Sequence, residues 1–363
     1  MLPRVFVPRM NFDLSKGGIS KFEEALSEYF DRKALLTPSG RVGLKLILKA
    51  YGIRKRDKVL LSSFNASSVV KVVEEVATPV FIEVDERTMN VVPKDIEREE
   101  GKALIVLHTE GNPCYMKKIK KIAEEKGFLL VEDCAHALGS SIHGKKTGTF
   151  GDAAILSFGM GKMINTAGGG AVLVEDESVG KKIRKELRRY PKPSLFNTFF
   201  KYLKNNAFHV MSKRTVFSTF VGPFLRFGDI LSLLFEDRGI KPMLMHDLQG
   251  NAGVLQLERL EGKIEARRRK ARKIMKGLEE FFPKYIGKPN FHNLCFFSGD
   301  KEPFRKHMLS YGIDVQKTWL KGYSDTARKL SESVCYLPIH EGVNEEDVKK
   351  MKEAIQDYTG NLG

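Results

Sequence analysis

A chain of 363 residues that is 42% hydrophobic can bury a large core, and its length suits about two domains. Its 61 Lys and Arg against 45 Asp and Glu leave a formal net charge of +16, which favours anionic partners (phosphorylated small molecules, nucleic acid or an acidic membrane) without choosing among them. The four cysteines, Cys114, Cys134, Cys295 and Cys335, form no CxxC pair, which excludes a zinc knuckle and a redox dithiol motif and, at this density, a secreted disulfide framework.

The N-terminus lacks a charged-then-apolar signal pattern, and no apolar run reaches the roughly 18 residues of a spanning helix. A cytoplasmic protein is expected. Along the chain, the apolar Ala34–Leu36 leads into Thr37-Pro-Ser-Gly-Arg-Val-Gly-Leu44, which opens a helix through Leu48 with Ser39 as N-cap. Free N–H groups at such a start can cradle a phosphate, although an ordinary capped helix reads the same way. Strands are expected at Val59–Leu61, Pro79–Val84, Ala103–His108, Leu129–Asp133, Ala153–Phe158 and Ala171–Val174. Several are near-continuous β-branched and Leu runs, as in parallel strands buried on both faces. Between them lies helix Lys117–Lys126, with Ile119, Ile122 and Ala123 on one face and Gly127 as its stop. Such alternation predicts an α/β domain with a mostly parallel sheet, whose ligands gather at the carboxyl ends of the strands.

The stretch from Arg188 to Arg238 interleaves aromatic and basic residues. Phe199, Phe200 and Tyr202 stand beside Lys201 and Lys204; Phe217, Phe220, Phe224 and Phe227 stand near Lys213, Arg214 and Arg226. Pro191, Pro193, Gly222 and Pro223 divide it into short pieces. It reads either as a connection packed on a partner subunit or as a peripheral contact with anionic lipid. From Asp247 a long helical pattern runs through Leu248, Leu255, Leu260 and Ile264 into the basic Arg267–Lys273. A smaller α+β region follows. It ends in a helix that Asn344 caps, with Val348, Met351 and Ile355 on one face. The division expected is a large domain over 1–245, carrying the 188–238 insertion, and a small C-terminal domain over 246–363.

Chemistry concentrates in Val131-Glu-Asp-Cys-Ala-His136, Ser157-Phe-Gly-Met-Gly-Lys162 and Gly168-Gly-Gly-Ala-Val172. Asp133 ends a buried strand, Ser157 nearly ends the next, and Lys162 follows in a Gly-flanked loop. A lysine used as a nucleophile toward an aldehyde must reach on a tether and be partly deprotonated. A carboxylate beside a pyridine nitrogen keeps it protonated and the ring an electron sink. Taken singly, Asp133 reads as a cap, Lys162 as a surface lysine and Ser157 as a plain strand end; their order changes that reading.

With Phe22-Glu-Glu-Ala-Leu, Ser39-Gly-Arg-Val-Gly-Leu44, Ala77–Asp85, His108-Thr-Glu-Gly-Asn-Pro113, Glu132-Asp-Cys-Ala-His136, Gly148-Thr-Phe-Gly-Asp152, Ser157–Val172, Leu255–Leu260 and Leu337-Pro-Ile-His340 in this order, the chain resembles the DegT/StrS-type sugar aminotransferases. The resemblance implies a fold-type-I transferase using pyridoxal 5'-phosphate, a homodimer with sites at the subunit interface. It implies that Lys162 holds the cofactor as a Schiff base and shuttles the proton, and that Asp133 pairs with the pyridine nitrogen. His136 would touch the phenolic oxygen or ring, and Ser157 with the backbone of Gly40 and Arg41 would hold the phosphate. The implied reaction moves an amino group from an amino acid, L-glutamate first, to a nucleotide-linked keto-sugar, for amino-sugar or surface-glycan synthesis. The implied partners are small-molecule substrates and a second copy, with neither nucleic acid nor metal. Relatives with His in place of the lysine are dehydratases, so Lys162 favours amino transfer. The alternatives are another fold-type-I reaction, dehydration or an amino-acid transformation, and a cofactor-bound regulator or membrane-associated scaffold.

Four departures stand out. Arg41 replaces the family's Thr. Ala66 stands where an aromatic residue commonly stacks on the cofactor ring, with Phe64 nearby. Ala167 and Gly168 replace a Glu before the paired glycines. In Ile240-Lys-Pro-Met-Leu-Met245, Pro242 and Leu244 take the places of an Asn and an Arg in the family's Gly-Tyr-Asn-Tyr-Arg-Met motif, leaving Lys241, Arg238 or Arg41 to compensate.

Overall fold

The computed structural model describes residues 1–4, 7, 9–10, 13–221 and 242–360. Helix α1 (Gly18–Phe30) comes first and β1 (Lys33–Thr37) follows. Next are α2 (Gly40–Ala50), β2 (Lys58–Ser62), the short β3 (Phe64–Asn65), α3 (Ser67–Val76), β4 (Thr78–Ile82), α4 (Pro93–Arg98), β5 (Ala103–Leu107), α5 (Met116–Lys126) and β6 (Leu129–Asp133). A small hairpin, β7 (Ser141–Ile142) and β8 (Lys145–Lys146), precedes β9 (Ala153–Ser157), β10 (Gly170–Val174) and α6 (Glu177–Leu187). Seven strands form one sheet in the order β1-β10-β9-β6-β5-β2-β4. From β9 to β4 every pairing is parallel, and β10 runs antiparallel to both neighbours. Strands β5 and β10 are buried throughout, as a sheet covered on both faces requires. The α/β fold with a mostly parallel sheet is therefore as expected.

Local signals act as read. Ser39 accepts from Val42 N–H at the start of α2, and Gly127 (φ 66°) ends α5. Two readings need correction. Strand β1 was not expected, because only three apolar residues precede the Thr-Pro turn; it is placed by its ladder with β10. The helical pattern after Asp247 is two helices, α8 (Asp247–Glu258) and α9 (Leu260–Met275), which meet at Arg259 (φ −94°, ψ 0°).

Beyond α9 a second, antiparallel sheet forms from β11 (Leu294–Phe297), β14 (Val334–Leu337) and β12 (Gln316–Lys317). Strand β13 (Lys321–Gly322) pairs instead with β3 in a separate two-stranded sheet, which ties this region to the segment after β2. The last helix, Glu345–Gly360, starts with Asn344 Oδ1 accepting from Asp347 N–H at 2.8 Å and buries Val348, Met351 and Ile355. Within the Phe- and Lys-rich stretch, helix α7 (Leu195–Met211) buries Thr198, Tyr202, Asn205 and Phe208. Phe217 is also buried, whereas Phe196, Phe199 and Phe200 are exposed. Phe224, Phe227, Arg226, Arg238 and Lys241 lie outside the described residues. Among those described, no helix is long and apolar enough to cross a membrane.

Candidate active site

Adjacent residues of β6 point to opposite faces of the sheet, and this separates structure from chemistry. Glu132 faces one side and fixes the turn that follows: it accepts from Gly148, Phe150 and Gly151 N–H (2.8, 2.6 and 2.8 Å) and pairs with His108 Nε2 at 3.0 Å. Asp133, at the strand's carboxyl end, accepts from Ala135 N–H at 2.9 Å. Burial pushes its carboxyl above the usual range, and the Ala135 amide and the Lys162 ammonium pull it back.

Lys162 lies in the loop between β9 and β10. That loop is folded on itself by Phe158 N–H to Gly169 O (3.0 Å) and Thr166 N–H to Phe158 O (3.0 Å). Gly169 (φ 100°) is required there, since a Cβ would stand 2.5 Å from Met245 Sδ. Desolvation lowers the Lys162 pKa to about 8, with Glu110 and Asp133 resisting the shift. Lysine, Asp133 and Glu110 thus share one electrostatic pocket.

The candidate phosphate residues also meet. Gly40 begins α2 against the end of β9; a Cβ on it would stand 3.2 Å from Leu156 O and 3.5 Å from Ser157 Cβ. The Ser39 cap engages Val42, so the Gly40 and Arg41 amides remain at the helix start, outside the intrahelical ladder. The Arg41 side chain is exposed.

His136 is buried. Its ring stacks on His292 (4.7 Å, 14°) and meets Trp319 edge-on at 5.0 Å. Burial holds both histidines well below their usual pKa, so both rings are neutral. Among the described residues, His136 Nδ1 and His292 Nδ1 are buried without a hydrogen-bond partner, and Glu110 Oε1 is 3.4 Å from the former. Glu110, His136 and His292 each bring one potential ligand atom within 4.8 Å of the others.

Several site residues escaped the sequence reading. Glu110, in a left-handed conformation (φ 49°) after β5, is buried; Oε1 accepts from Tyr336 O–H (2.7 Å) and Oε2 from Asn293 Nδ2 (2.8 Å). Trp319 lies over the lysine, with Nζ 5.2 Å from its ring centroid. A carboxylate just past an apolar strand end, the signal that marked Asp133, was equally present at Glu110. His292, Asn293, Trp319 and Tyr336 come from beyond residue 290 and carried no local signal. Phe64 and Ala66 both belong to the core beside α3, and Leu244 packs on that core with its N–H on Pro191 O (3.0 Å).

Residues 14–293 match the family model described as the DegT/DnrJ/EryC1/StrS aminotransferase family. Among curated proteins, MJ1066 of Methanocaldococcus jannaschii is 38% identical over 169 residues, covering 45% of this chain and 44% of that protein. GDP-perosamine synthase of Vibrio cholerae is 34% identical over 166 residues, covering 44% and 45%. The chain thus spans just under half the length of these relatives. Helicobacter pylori PseC, an aminotransferase involved in the biosynthesis of pseudoaminic acid, is similar in structure with a TM-score of 0.77 at 18% identity, over 99% of this chain and 100% of that one. At that identity the likeness is one of fold.

Proposed function

The chain belongs to the DegT/DnrJ/EryC1/StrS aminotransferase family, and on that premise we propose that it transfers an amino group from an amino acid, L-glutamate first, to the carbonyl of a nucleotide-linked keto-sugar. The observation that carries the reading is the placement of Lys162 beside Asp133 and Glu110 at the carboxyl ends of the strands, with its pKa brought down to about 8. Relatives with names such as GDP-perosamine synthase support a sugar carried on a nucleoside diphosphate.

The residues fit pyridoxal 5'-phosphate. A lysine depressed toward neutrality and a buried carboxylate share the pocket, His136 Nδ1 is buried without a partner, and Gly40 leaves the α2 start open beside Ser157. When bound, this cofactor supplies the electron sink that lets an amino group leave one carbon and arrive on another. Lys162 would hold the cofactor and, when free, its Nζ would carry the proton to and from the substrate carbon. The Asp133 carboxylate would keep the ring nitrogen protonated through a charge-assisted hydrogen bond. His136 would contribute a neutral imidazole to the cofactor site. The Ser157 hydroxyl and the Gly40 and Arg41 amides would hold the phosphate, where the α2 dipole favours negative charge. The working assembly is a homodimer.

The test is product mass spectrometry with L-glutamate and a panel of nucleotide-linked keto-sugars. An aminated sugar nucleotide should appear with one 2-oxoglutarate per turnover. Lys162→Ala should cut the rate by about 10²–10⁴-fold, the usual contribution of a positioned acid–base group. Failure to aminate any member of the panel would end this reading.

A further inference from the structure

Helix α7 is amphipathic with its faces reversed. The side turned inward is largely polar and firmly held: Tyr202 O–H donates to Leu248 O (2.5 Å), Asn165 Nδ2 donates to Asn205 Oδ1 (2.9 Å), and His209 Nδ1 contacts Val7 O (2.7 Å). The side turned outward carries Leu195, Phe196, Phe200, Leu203 and Val210, which are 48–68% exposed. At 100° per residue these five span one arc that runs the length of the helix. The exposure is therefore not that of a dangling segment. A fixed apolar stripe of this kind marks a surface that is covered in use.

Charge decides what covers it. From Leu187 to Gly228 the chain has eight Lys and Arg and neither Asp nor Glu. On and beside α7, Lys192, Lys204 and Lys213 are exposed. A twofold contact centred on α7 would bring these like charges together, and lysine is depleted at protein interfaces wherever the axis lies. An anionic bilayer satisfies both features at once. Its acyl boundary takes the Phe and Leu side chains, and its headgroups take the lysines.

We propose that α7 is a peripheral membrane-docking helix, seated on anionic lipid by Leu195, Phe196, Phe200 and Leu203 and their flanking lysines. The inference goes beyond aminotransfer and is read by protein partition, so it stands or falls independently of turnover.

The experiment is co-sedimentation of the full chain with vesicles of equal parts phosphatidylglycerol and phosphatidylcholine, and with phosphatidylcholine alone. The protein should bind the anionic vesicles and leave the neutral ones. Binding should weaken severalfold as salt shortens the Debye length from about 10 Å at 0.1 M to about 3 Å at 1 M. The combined variant Phe196→Ser, Phe200→Ser, Leu203→Ser changes exposed side chains only. It should keep its circular dichroism and thermal midpoint while losing at least tenfold in binding. Lys192→Glu with Lys204→Glu should lose binding to the anionic vesicles in the same way. No binding at low salt would overturn the proposal. So would a wild-type oligomer that the triple Ser variant dissociates, since a second copy would then be the occupant.

Discussion

At the scale of single residues, a lysine is made useful by its surroundings. With a pKa of about 8, roughly half of the Lys162 side chains are neutral at that pH, against well under about 1% for a lysine near 10.4. The sign of each influence is fixed: burial lowers the pKa, and the Glu110 and Asp133 carboxylates raise it. Trace acetylation of the cofactor-free protein across pH should therefore show Lys162 reacting with a midpoint near 8. Glu110→Gln should move that midpoint further down. A midpoint near that of free lysine would remove Lys162 from the pocket described above. Lys162, Asp133, His136 and Ser157 could be named as candidates from sequence because each sits at or beyond an apolar strand end, where an α/β fold places its ligands. Glu110 had the same signal but lacked a nearby partner in sequence: its hydrogen bonds go to Asn293 and Tyr336, and only folding brings those residues near.

At the scale of elements, an ion cluster of half-buried Lys263 and Arg267 with the exposed Glu341 fastens α9 to the lysine loop. Lys263 Nζ donates to Met163 O at 2.8 Å and pairs with Glu341 Oε1 at 3.2 Å. Arg267 donates to Phe291 O and His292 O (3.1 and 2.7 Å) and lies 3.8 Å from the same Glu341 oxygen. Burial alone would raise the Glu341 pKa, but Arg267 and Lys263 outweigh it and hold the carboxyl at about 2. A depressed carboxyl pKa means that its stabilisation is complete above the ordinary value of 4.5 and is lost as pH falls toward 2. Glu341→Gln should accordingly lower the thermal midpoint by a few degrees at neutral pH, with the gap to wild type closing as the scans move to acid. A gap that stays constant down to the acid limit would mean that the pair contributes nothing through its charge. No sequence pattern marks this cluster, because Lys263 and Arg267 lie within a basic run that reads as solvated helix. The elements themselves were legible where burial is two-sided. They were not at β1, whose placement depends on β10, nor at Arg259, where the apolar spacing continues across a break in the backbone.

At the scale of the whole molecule, strand–helix alternation is enough to read the class of fold, whereas the direction in which a face points is not in the composition. The Phe content of α7 reads equally well as core and as surface; only its docking through Tyr202, Asn205 and His209 turns Phe196, Phe199 and Phe200 outward and leaves Phe208 buried. The candidate site is likewise a property of the assembled chain, in which Asn293 and Tyr336 reach Glu110 and Trp319 reaches Lys162. One consequence concerns light. The chain has a single tryptophan, and it is the one that stands 5.2 Å from Lys162 Nζ. All tryptophan emission from this chain therefore originates beside Lys162, in the candidate site, with no background from elsewhere. A pyridoxal chromophore attached to Lys162 would sit close enough to accept that excitation, so emission should fall as the cofactor is loaded and return as it is stripped away. Trp319→Phe should leave the protein dark at that wavelength throughout. A fluorimeter thus reads occupancy with no substrate present, and emission indifferent to loading would place the cofactor somewhere other than on Lys162.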